Sequence, residues 1–120
     1  MKNSALQTVQ QYQQLMGSGD EKWMDMVADD ITFAGPVDQV TGKKAFAELN
    51  ASFFPQVKGY ELLTAFEQGN QALLESLFTV QAPGGKEIKL KMAEIYEVEN
   101  GKINNIRIYY DAEEFRKEFS

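Results

Sequence analysis

The second half of the chain changes its hydrophobic period, and this change limits the fold more than any other feature. From residue 59 onward, apolar and polar residues alternate in the segments GYELLTAFE, QALLESLFTVQ, EIKLKMAEIYEVE and KINNIRIYY. The turn signals Gly-Asn, Pro-Gly-Gly and Asn-Gly separate these segments. A period of two residues is typical of β-strands, and such short turns connect antiparallel neighbours. The sequence therefore predicts an antiparallel meander.

Helical signals dominate the first half of the chain. Ser4 followed by Gln7 predicts a capping box that opens the first helix. Asp20 is expected to cap a second, shorter helix through EKWMDMVAD, in which Trp23 and Val27 lie one turn apart on the same stripe. A short strand, ITFAGP, is expected to follow this helix.

Two further helices complete the predicted order of elements. The segment KKAFAELNASFF has apolar residues at helical spacing until Pro55, which ends the helix, and AEEFRKEF forms a short final helix capped by Asp111. Helices first and antiparallel strands last predict a single α+β domain over residues 1–120. We expect its sheet to curve around three N-terminal helices.

Composition excludes several kinds of chemistry. The chain has no Cys and no His, so acid–base chemistry is left to Asp, Glu, Tyr or Lys, and we expect neither a metal nor an organic cofactor. A net charge of −6 argues against nucleic acid as a partner. No stretch approaches the roughly 18 apolar residues of a membrane helix, and no signal-peptide run is present. We therefore expect no membrane partner and a cytoplasmic location.

Four segments give the chain a family resemblance. VQQYQQLMGSGD, VADDITFAGP, TGKKAF and EIYEVENGKINNIRIYYD resemble the SnoaL-like and ketosteroid isomerase-like members of the nuclear transport factor two-like superfamily, over residues 5–119. The resemblance implies a cone-shaped α+β barrel with a pocket at its wide end, often in a homodimer. This fold hosts enzymes, ligand binders and scaffolds, so the fold does not fix the reaction.

An acid interrupts the more apolar face of the strand EIKLKMAEIYEVE. On this face Glu94 lies among Met92, Tyr96 and other apolar residues. A three-residue loop in the preceding hairpin places Leu74 opposite Glu94, whereas a two-residue Gly-Gly loop places Glu75 there. We favour the first register, because only this register matches apolar with apolar residues.

The last hairpin allows two registers with different chemistry. A two-residue Asn-Gly turn puts Arg107 opposite Glu94 and brings Tyr109 to the same face, so that Glu94 has an ion-pair partner. A three-residue loop with a glycine bulge puts Ile106, Ile108 and Tyr110 on this face instead. In the second register the carboxyl is desolvated among apolar groups, which raises its pKa.

The resemblance implies roles for a few residues. It places Tyr12 and Glu94 as donors to a developing oxyanion. The family's catalytic base is an aspartate immediately before the proline that follows the first strand, but this chain has Gly35 at that position. Asp38, three residues later, serves as a base only if its loop folds back. Without a base at the usual position, steroid isomerisation by the usual route is not expected.

Our hypothesis is a protein that binds a small hydrophobic carbonyl or cyclic compound, with isomerase, cyclase or lyase chemistry if it is an enzyme. The alternative is a non-catalytic interaction or assembly module whose cone is filled by its own side chains. The predicted pocket walls are Trp23, Phe33, Phe53, Phe66, Leu74, Phe78, Met92 and Tyr110. The opposite sheet face is apolar and predicts a homodimer. Its residues are Leu73, Leu77, Ala93 and Ile95, with Ile106 and Ile108 as further candidates.

Overall fold

The computed structural model describes residues 3–119 and confirms the α+β class. The helices are α1 (Ala5–Gly17), α2 (Lys43–Phe53) and α3 (Glu113–Phe119), with 3₁₀ helices at Glu21–Met26 and Phe54–Gln56. The strands are β1 (Val27–Ala34), β2 (Gln39–Thr41), β3 (Val57–Gln68), β4 (Gln71–Gln81), β5 (Glu87–Glu99) and β6 (Lys102–Tyr109). The four strands predicted after residue 59 are all present.

Local capping signals in the sequence are borne out. The Ser4 hydroxyl accepts from the Gln7 backbone N–H at 3.2 Å, and the Gln7 side chain accepts from the Ser4 N–H at 2.9 Å. Asp20 accepts from the Lys22 N–H, and Asp111 accepts from the Glu113 N–H. These bonds satisfy backbone donors that a helix start leaves unpaired, which is why these positions mark the starts correctly.

The second predicted helix is wrong beyond Met26. The segment after Asp20 forms only a 3₁₀ helix, and Val27 begins β1, where it is fully buried and pairs with Ile103 of β6. Trp23 and Val27 therefore do not share a helix stripe. Pairing with a distant strand overrides the helical spacing, and the β-branched Val27 suits the buried sheet position.

The six strands form one mixed sheet in the order β2-β1-β6-β5-β4-β3. Strands β3 to β6 are the predicted antiparallel meander, but β1 joins β6 in parallel, and β2 pairs with β1. One sheet face packs against α1 and α2. The buried cluster between them contains Val9, Tyr12, Val27, Ile31, Phe46, Leu74, Tyr96, Ile103 and Ile106. We call this side of the sheet the inner face.

The register of β4 and β5 is the one that apolar matching predicts. Leu74 lies opposite Glu94, and Ser76 lies opposite Met92. Glu94 therefore lies on the inner face.

The β5–β6 hairpin combines the two predicted registers. A two-residue turn at Asn100 and Gly101, both with positive φ, sets Glu99 opposite Lys102. One residue later the register shifts, because Asn104 is an extra residue in β6 that has no opposite partner in β5. The turn predicted from Asn-Gly is therefore correct, and the bulge lies in the strand rather than in the loop.

The bulge decides which side chains reach the inner face. Beyond Asn104, Ile108 lies opposite Glu94, while Arg107 lies opposite Ile95 on the other side of the sheet, which we call the outer face. The prediction that places Arg107 beside Glu94 is therefore wrong. No helix within residues 3–119 is long and apolar enough to cross a membrane, and the cytoplasmic location stays a prediction.

Candidate functional site

A cavity of about 590 Å³ lies between the inner face and the helices. This volume is in the range of small-molecule sites. Tyr12 and Glu94 line it, as does Asp38 at its rim, so all three residues predicted to carry chemistry border one space. Of the predicted walls, Phe33, Phe53, Phe78, Met92 and Tyr110 also line the cavity.

Three predicted wall residues lie elsewhere. Leu74 is fully buried in the core cluster, and Trp23 forms a second layer, with its ring edge-on to Tyr12 and Phe46 at 6.1 and 5.9 Å between centroids. Phe66 lies opposite Leu73 on the outer face and is 54% exposed. These three assignments to the pocket wall are wrong. The register of β3 has shifts between residues 57 and 59 and between 62 and 64, and such bulges exchange faces.

Glu94 is a buried carboxyl with one hydrogen bond. It is 9% exposed, and its Oε2 accepts a hydrogen bond from the Tyr96 hydroxyl at 3.2 Å. Its Oε1 is buried and has no hydrogen-bond partner among residues 3–119. Burial raises the pKa of Glu94 from 4.5 to about 7, and the hydrogen bond from Tyr96 opposes this rise. Near neutral pH the group therefore exchanges between a proton donor and an acceptor.

Tyr12 is the second buried group that the sequence singled out. It lies on α1, and its ring centroid is 6.1 Å from that of Tyr96. Burial raises the pKa of Tyr12 well above 10, and the charge of Glu94 adds to the rise. The hydroxyl therefore stays protonated at neutral pH and is available as a hydrogen-bond donor.

Four polar residues of the site were missed as candidates. The Tyr96 hydroxyl accepts from Gln13 Nε2 at 3.3 Å, and Gln13 Oε1 accepts from the Tyr60 hydroxyl at 3.3 Å. Tyr60 is also 3.1 Å from the hydroxyl of Ser76, which is fully buried. A signal for Tyr96 was present, because it is two residues from Glu94 and shares its face. Gln13 and Tyr60 come together only through the packing of α1 on β3.

The loop between β1 and β2 forms part of the rim. Gly35 donates its backbone N–H to the Asp38 carbonyl at 2.8 Å, so the loop turns back and Asp38 borders the cavity. Burial raises the pKa of Tyr110, and the charge of Asp38 adds to this rise. A Cβ at position 35 would come within 2.8 Å of Ile108 Cγ1. A side chain at the family's usual base position therefore requires Ile108 to move.

Most of the remaining cavity wall is apolar. It includes Phe33, Phe53, Phe78, Met92, Ile108 and Phe115. Phe115 belongs to α3, whose Glu114 forms an ion pair with Lys86 of the β4–β5 loop at 3.3 Å. Arg116 of the same helix donates to the Pro36 carbonyl at 2.6 Å, so α3 is also attached to the β1–β2 loop at the rim. The cavity thus has a polar end, where Glu94 lies with Tyr12, Tyr96 and Gln13, and a wall that is otherwise largely apolar.

Residues 3–119 contain no group of three or more His, Cys, Asp or Glu side chains arranged to hold a metal ion. Chemically, the arrangement offers a carboxyl with a pKa near neutral and a protonated tyrosine beside an apolar space. Such a pair can donate hydrogen bonds to a carbonyl oxygen, or exchange a proton with a bound compound.

The family follows from comparison with known sequences. Residues 9–106 match the model of the SnoaL-like domain. The chain belongs to this family. The match covers most of the chain, including both strands of the β4–β5 hairpin, and it confirms the resemblance given by the sequence segments. No curated protein matches the chain.

Solved structures agree with this fold. A protein from Kribbella flavida is 26% identical, with 96% of this chain and 93% of that chain aligned at a TM-score of 0.83. A protein from Mesorhizobium loti, named as a proposed SnoaL-like polyketide cyclase, is 24% identical over 90% of this chain and 100% of its own, at a TM-score of 0.75. An NTF2-like protein of unknown function from Burkholderia pseudomallei is 16% identical over 98% of both chains, at a TM-score of 0.82.

Proposed function

We propose that the cavity binds a small, largely apolar compound whose carbonyl oxygen points towards Glu94. The observation that carries this proposal is the buried carboxyl of Glu94, a residue that lines the cavity and whose Oε1 has no hydrogen-bond partner among the described residues. A buried polar atom without a partner is costly, and a ligand atom that bonds it removes that cost. The largely apolar wall of the cavity suits the body of such a ligand.

Proton transfer is the chemistry that this site would support if it is catalytic. Protonated Glu94 and Tyr12 donate hydrogen bonds to the carbonyl oxygen and stabilise the charge that develops on it. Asp38 at the rim is the candidate base. These roles fit cofactor-independent isomerase, cyclase or lyase chemistry, in line with the proposed polyketide cyclase from Mesorhizobium loti. The open cavity favours this proposal over a module whose cone is filled by its own side chains.

Two probes of nearly the same shape test the carbonyl contact. 2-Acetylnaphthalene carries a C=O group where 2-isopropenylnaphthalene carries C=CH₂, so only the first accepts a hydrogen bond. We expect the ketone to bind about tenfold more tightly than the alkene at pH 5.5, and to lose most of this advantage by pH 8.5, when Glu94 is ionised. Fluorescence titration of each probe gives the dissociation constants.

Two variants serve as controls for the pH effect. Glu94→Gln keeps a donor but does not titrate, so its preference for the ketone should not depend on pH. Glu97→Gln changes the same residue type on the other face of β5 and should behave as the wild type does. Equal binding of ketone and alkene at both pH values would remove Glu94 from the contact. If neither probe binds, the pocket proposal fails and the self-filled module becomes the better interpretation.

We also propose that the outer face forms a homodimer. Leu73, Leu77, Ala93 and Ile95 make its centre, and Tyr109 beside them is 55% exposed. The earlier candidates Ile106 and Ile108 are excluded, because both lie on the inner face. Along β5, Lys89 and Lys91 lie towards one end of the outer face, and Glu97 at the other end forms an ion pair with Arg107.

The apolar centre of the outer face supports this proposal. A second copy related by a two-fold axis in the plane of the interface covers the same patch on both chains. Sedimentation velocity should give twice the chain mass for the wild type and the single-chain mass for Leu73→Lys. Lys58→Glu, an exposed position at the start of β3, is the control and should stay dimeric. A monomeric wild type at high concentration would contradict the proposal.

A further inference from the structure

The hydrogen bonds at the polar end of the cavity all run in one direction. Tyr60 donates to Gln13, Gln13 donates to Tyr96, and Tyr96 donates to Glu94. Each tyrosine hydroxyl can donate only one hydrogen bond. Because Tyr60 donates to Gln13, it must accept its other hydrogen bond from the Ser76 hydroxyl. The result is a chain of donors that begins at Ser76 and ends at Glu94.

Gln13 is the link that sets this direction. Its amide nitrogen donates and never accepts. The Tyr96 oxygen therefore accepts a hydrogen bond from Gln13, and the Tyr96 O–H points to Glu94 Oε2. Because Oε2 accepts this bond, the acid proton of Glu94, when present, belongs on Oε1, which has no hydrogen-bond partner among the described residues.

We infer that Gln13 is a positioning residue, whose amide orientation keeps the acid proton of Glu94 on Oε1, the oxygen that is left for a ligand because no described residue binds it. The inference rests on the proposed function and adds to it the residue that selects the ligand. With this orientation the site offers a donor, so it selects neutral compounds with an acceptor such as a ketone, an ester or a lactone carbonyl.

The reversed chain would select a different ligand. If the Gln13 amide turned by 180°, its Oε1 would accept from Tyr96, and Glu94 would have to donate its proton from Oε2 to the Tyr96 oxygen. Oε1 would then carry only lone pairs, and the site would prefer compounds with a hydroxyl or an amine. The two orientations therefore predict opposite ligand classes.

The groups that act on Glu94 come from three elements. Tyr12 approaches from α1, Tyr60 from β3, and Tyr96 lies on β5 itself; each of these tyrosines has a pKa raised first by burial and further by the charge of Glu94. The neighbours of Glu94 across the sheet, Leu74 and Ile108, are apolar. A substitution of Gln13 therefore changes the hydrogen bonds that lead to Glu94, and with them its pKa, without adding or removing a charge.

A titration without any ligand tests the direction of the chain. The ¹³C shift of the Glu94 carboxyl carbon is followed from pH 4 to 10 in the wild type, Gln13→Leu and Tyr60→Phe, and assigned with Glu94→Gln. Gln13→Leu removes the donor that keeps Tyr96 pointing at Glu94, so the pKa of Glu94 should rise above its wild-type value. Tyr60→Phe frees the Gln13 amide to turn, and should raise the pKa by less.

Gln14→Leu is the matched control, because Gln14 is the next residue of α1 and is exposed. It should leave the titration unchanged. A pKa of Glu94 in Gln13→Leu that equals or falls below the wild-type value overturns the inference. Tyr60→Phe keeps the test decisive if Gln13→Leu does not fold, since an unchanged or lower pKa there overturns it too.

The probe pair provides the second readout. The preference for 2-acetylnaphthalene over 2-isopropenylnaphthalene at pH 5.5 should fall from about tenfold to about threefold in Gln13→Leu, because the acid proton is then shared between both oxygens. A full tenfold preference in this variant would overturn the inference. If neither probe binds the wild type, the proposed function fails, while the titration still decides the role of Gln13.

Discussion

Glu94 and Glu97 lie three residues apart on β5 and have opposite surroundings. Glu94 is buried on the inner face opposite Ile108, and its pKa is raised to about 7 by burial. Glu97 is half-buried on the outer face and forms an ion pair with Arg107. A strand turns successive side chains to opposite faces, so an odd separation of three residues is enough to give one carboxyl a cation and the other an apolar cavity.

The difference between the two acids depends on one extra residue. If β6 paired with β5 continuously from the Asn-Gly turn, with Asn104 included in the ladder, Arg107 would lie opposite Glu94 on the inner face. The bulge at Asn104 moves Arg107 to the outer face, where it reaches Glu97 and Asn105. The acidity of the candidate site is therefore set by the register of the neighbouring strand as much as by Glu94 itself.

Deletion of Asn104 tests whether the extra residue itself, or the pairing beyond it, separates the two acids. Ile103 is opposite Val98 and Asn105 is opposite Glu97, so removing Asn104 leaves a regular ladder with Ile108 still opposite Glu94 and Arg107 still on the outer face. We therefore expect the variant to fold, with a free energy of unfolding within about 1 kcal/mol of the wild type. Urea denaturation followed by circular dichroism measures the change.

Asn104→Gly serves as its control, because it keeps the extra residue and glycine is tolerated in bulges. We expect this variant to fold with a loss of about 1 kcal/mol or less. A loss of about 4 kcal/mol or more in the deletion variant would mean that Ile106 and Ile108 turn outward when Asn104 is removed, and would contradict the pairing of β5 and β6 described above.

The parts of the fold that the sequence predicts are those fixed by neighbours along the chain. The Ser4 capping box, the Asn-Gly turn and the β4–β5 register each depend on residues within one hairpin or one helix turn. Glu94 was found in the same way, because a charged residue interrupts an apolar alternation. In such cases the local pattern and the tertiary packing favour the same structure.

The parts that the sequence does not predict depend on distant strands. Val27 was assigned to a helix because the partner that makes it a strand residue, Ile103, is on β6. Phe66 was assigned to the pocket because two register shifts in β3 carry no clear signal in the sequence. The hydrogen bonds of Gln13 join α1 to β3 and β5, so its role appears only when these elements are packed.

The pH dependence of stability should distinguish the two acids. The folded protein holds the Glu94 proton with a pKa of about 7, against an ordinary value of 4.5. Because the folded pKa is raised, this group's contribution to stability is fully present below about pH 4.5 and is lost as the pH rises through 7. At 1.36 kcal/mol per pKa unit, the loss is roughly 3 kcal/mol.

Urea denaturation at pH 5 and pH 8.5 measures this contribution. Glu94→Gln has no proton to lose, so its free energy of unfolding should fall by roughly 3 kcal/mol less than that of the wild type between these two pH values. Glu97→Gln should keep the wild-type difference, and should lower stability by less than about 1 kcal/mol at either pH, because its pair with Arg107 is partly exposed and screened. If Glu94→Gln and the wild type lose the same stability, Glu94 is solvated in the folded protein, and the contrast between the two faces of β5 then lies in geometry and not in acidity.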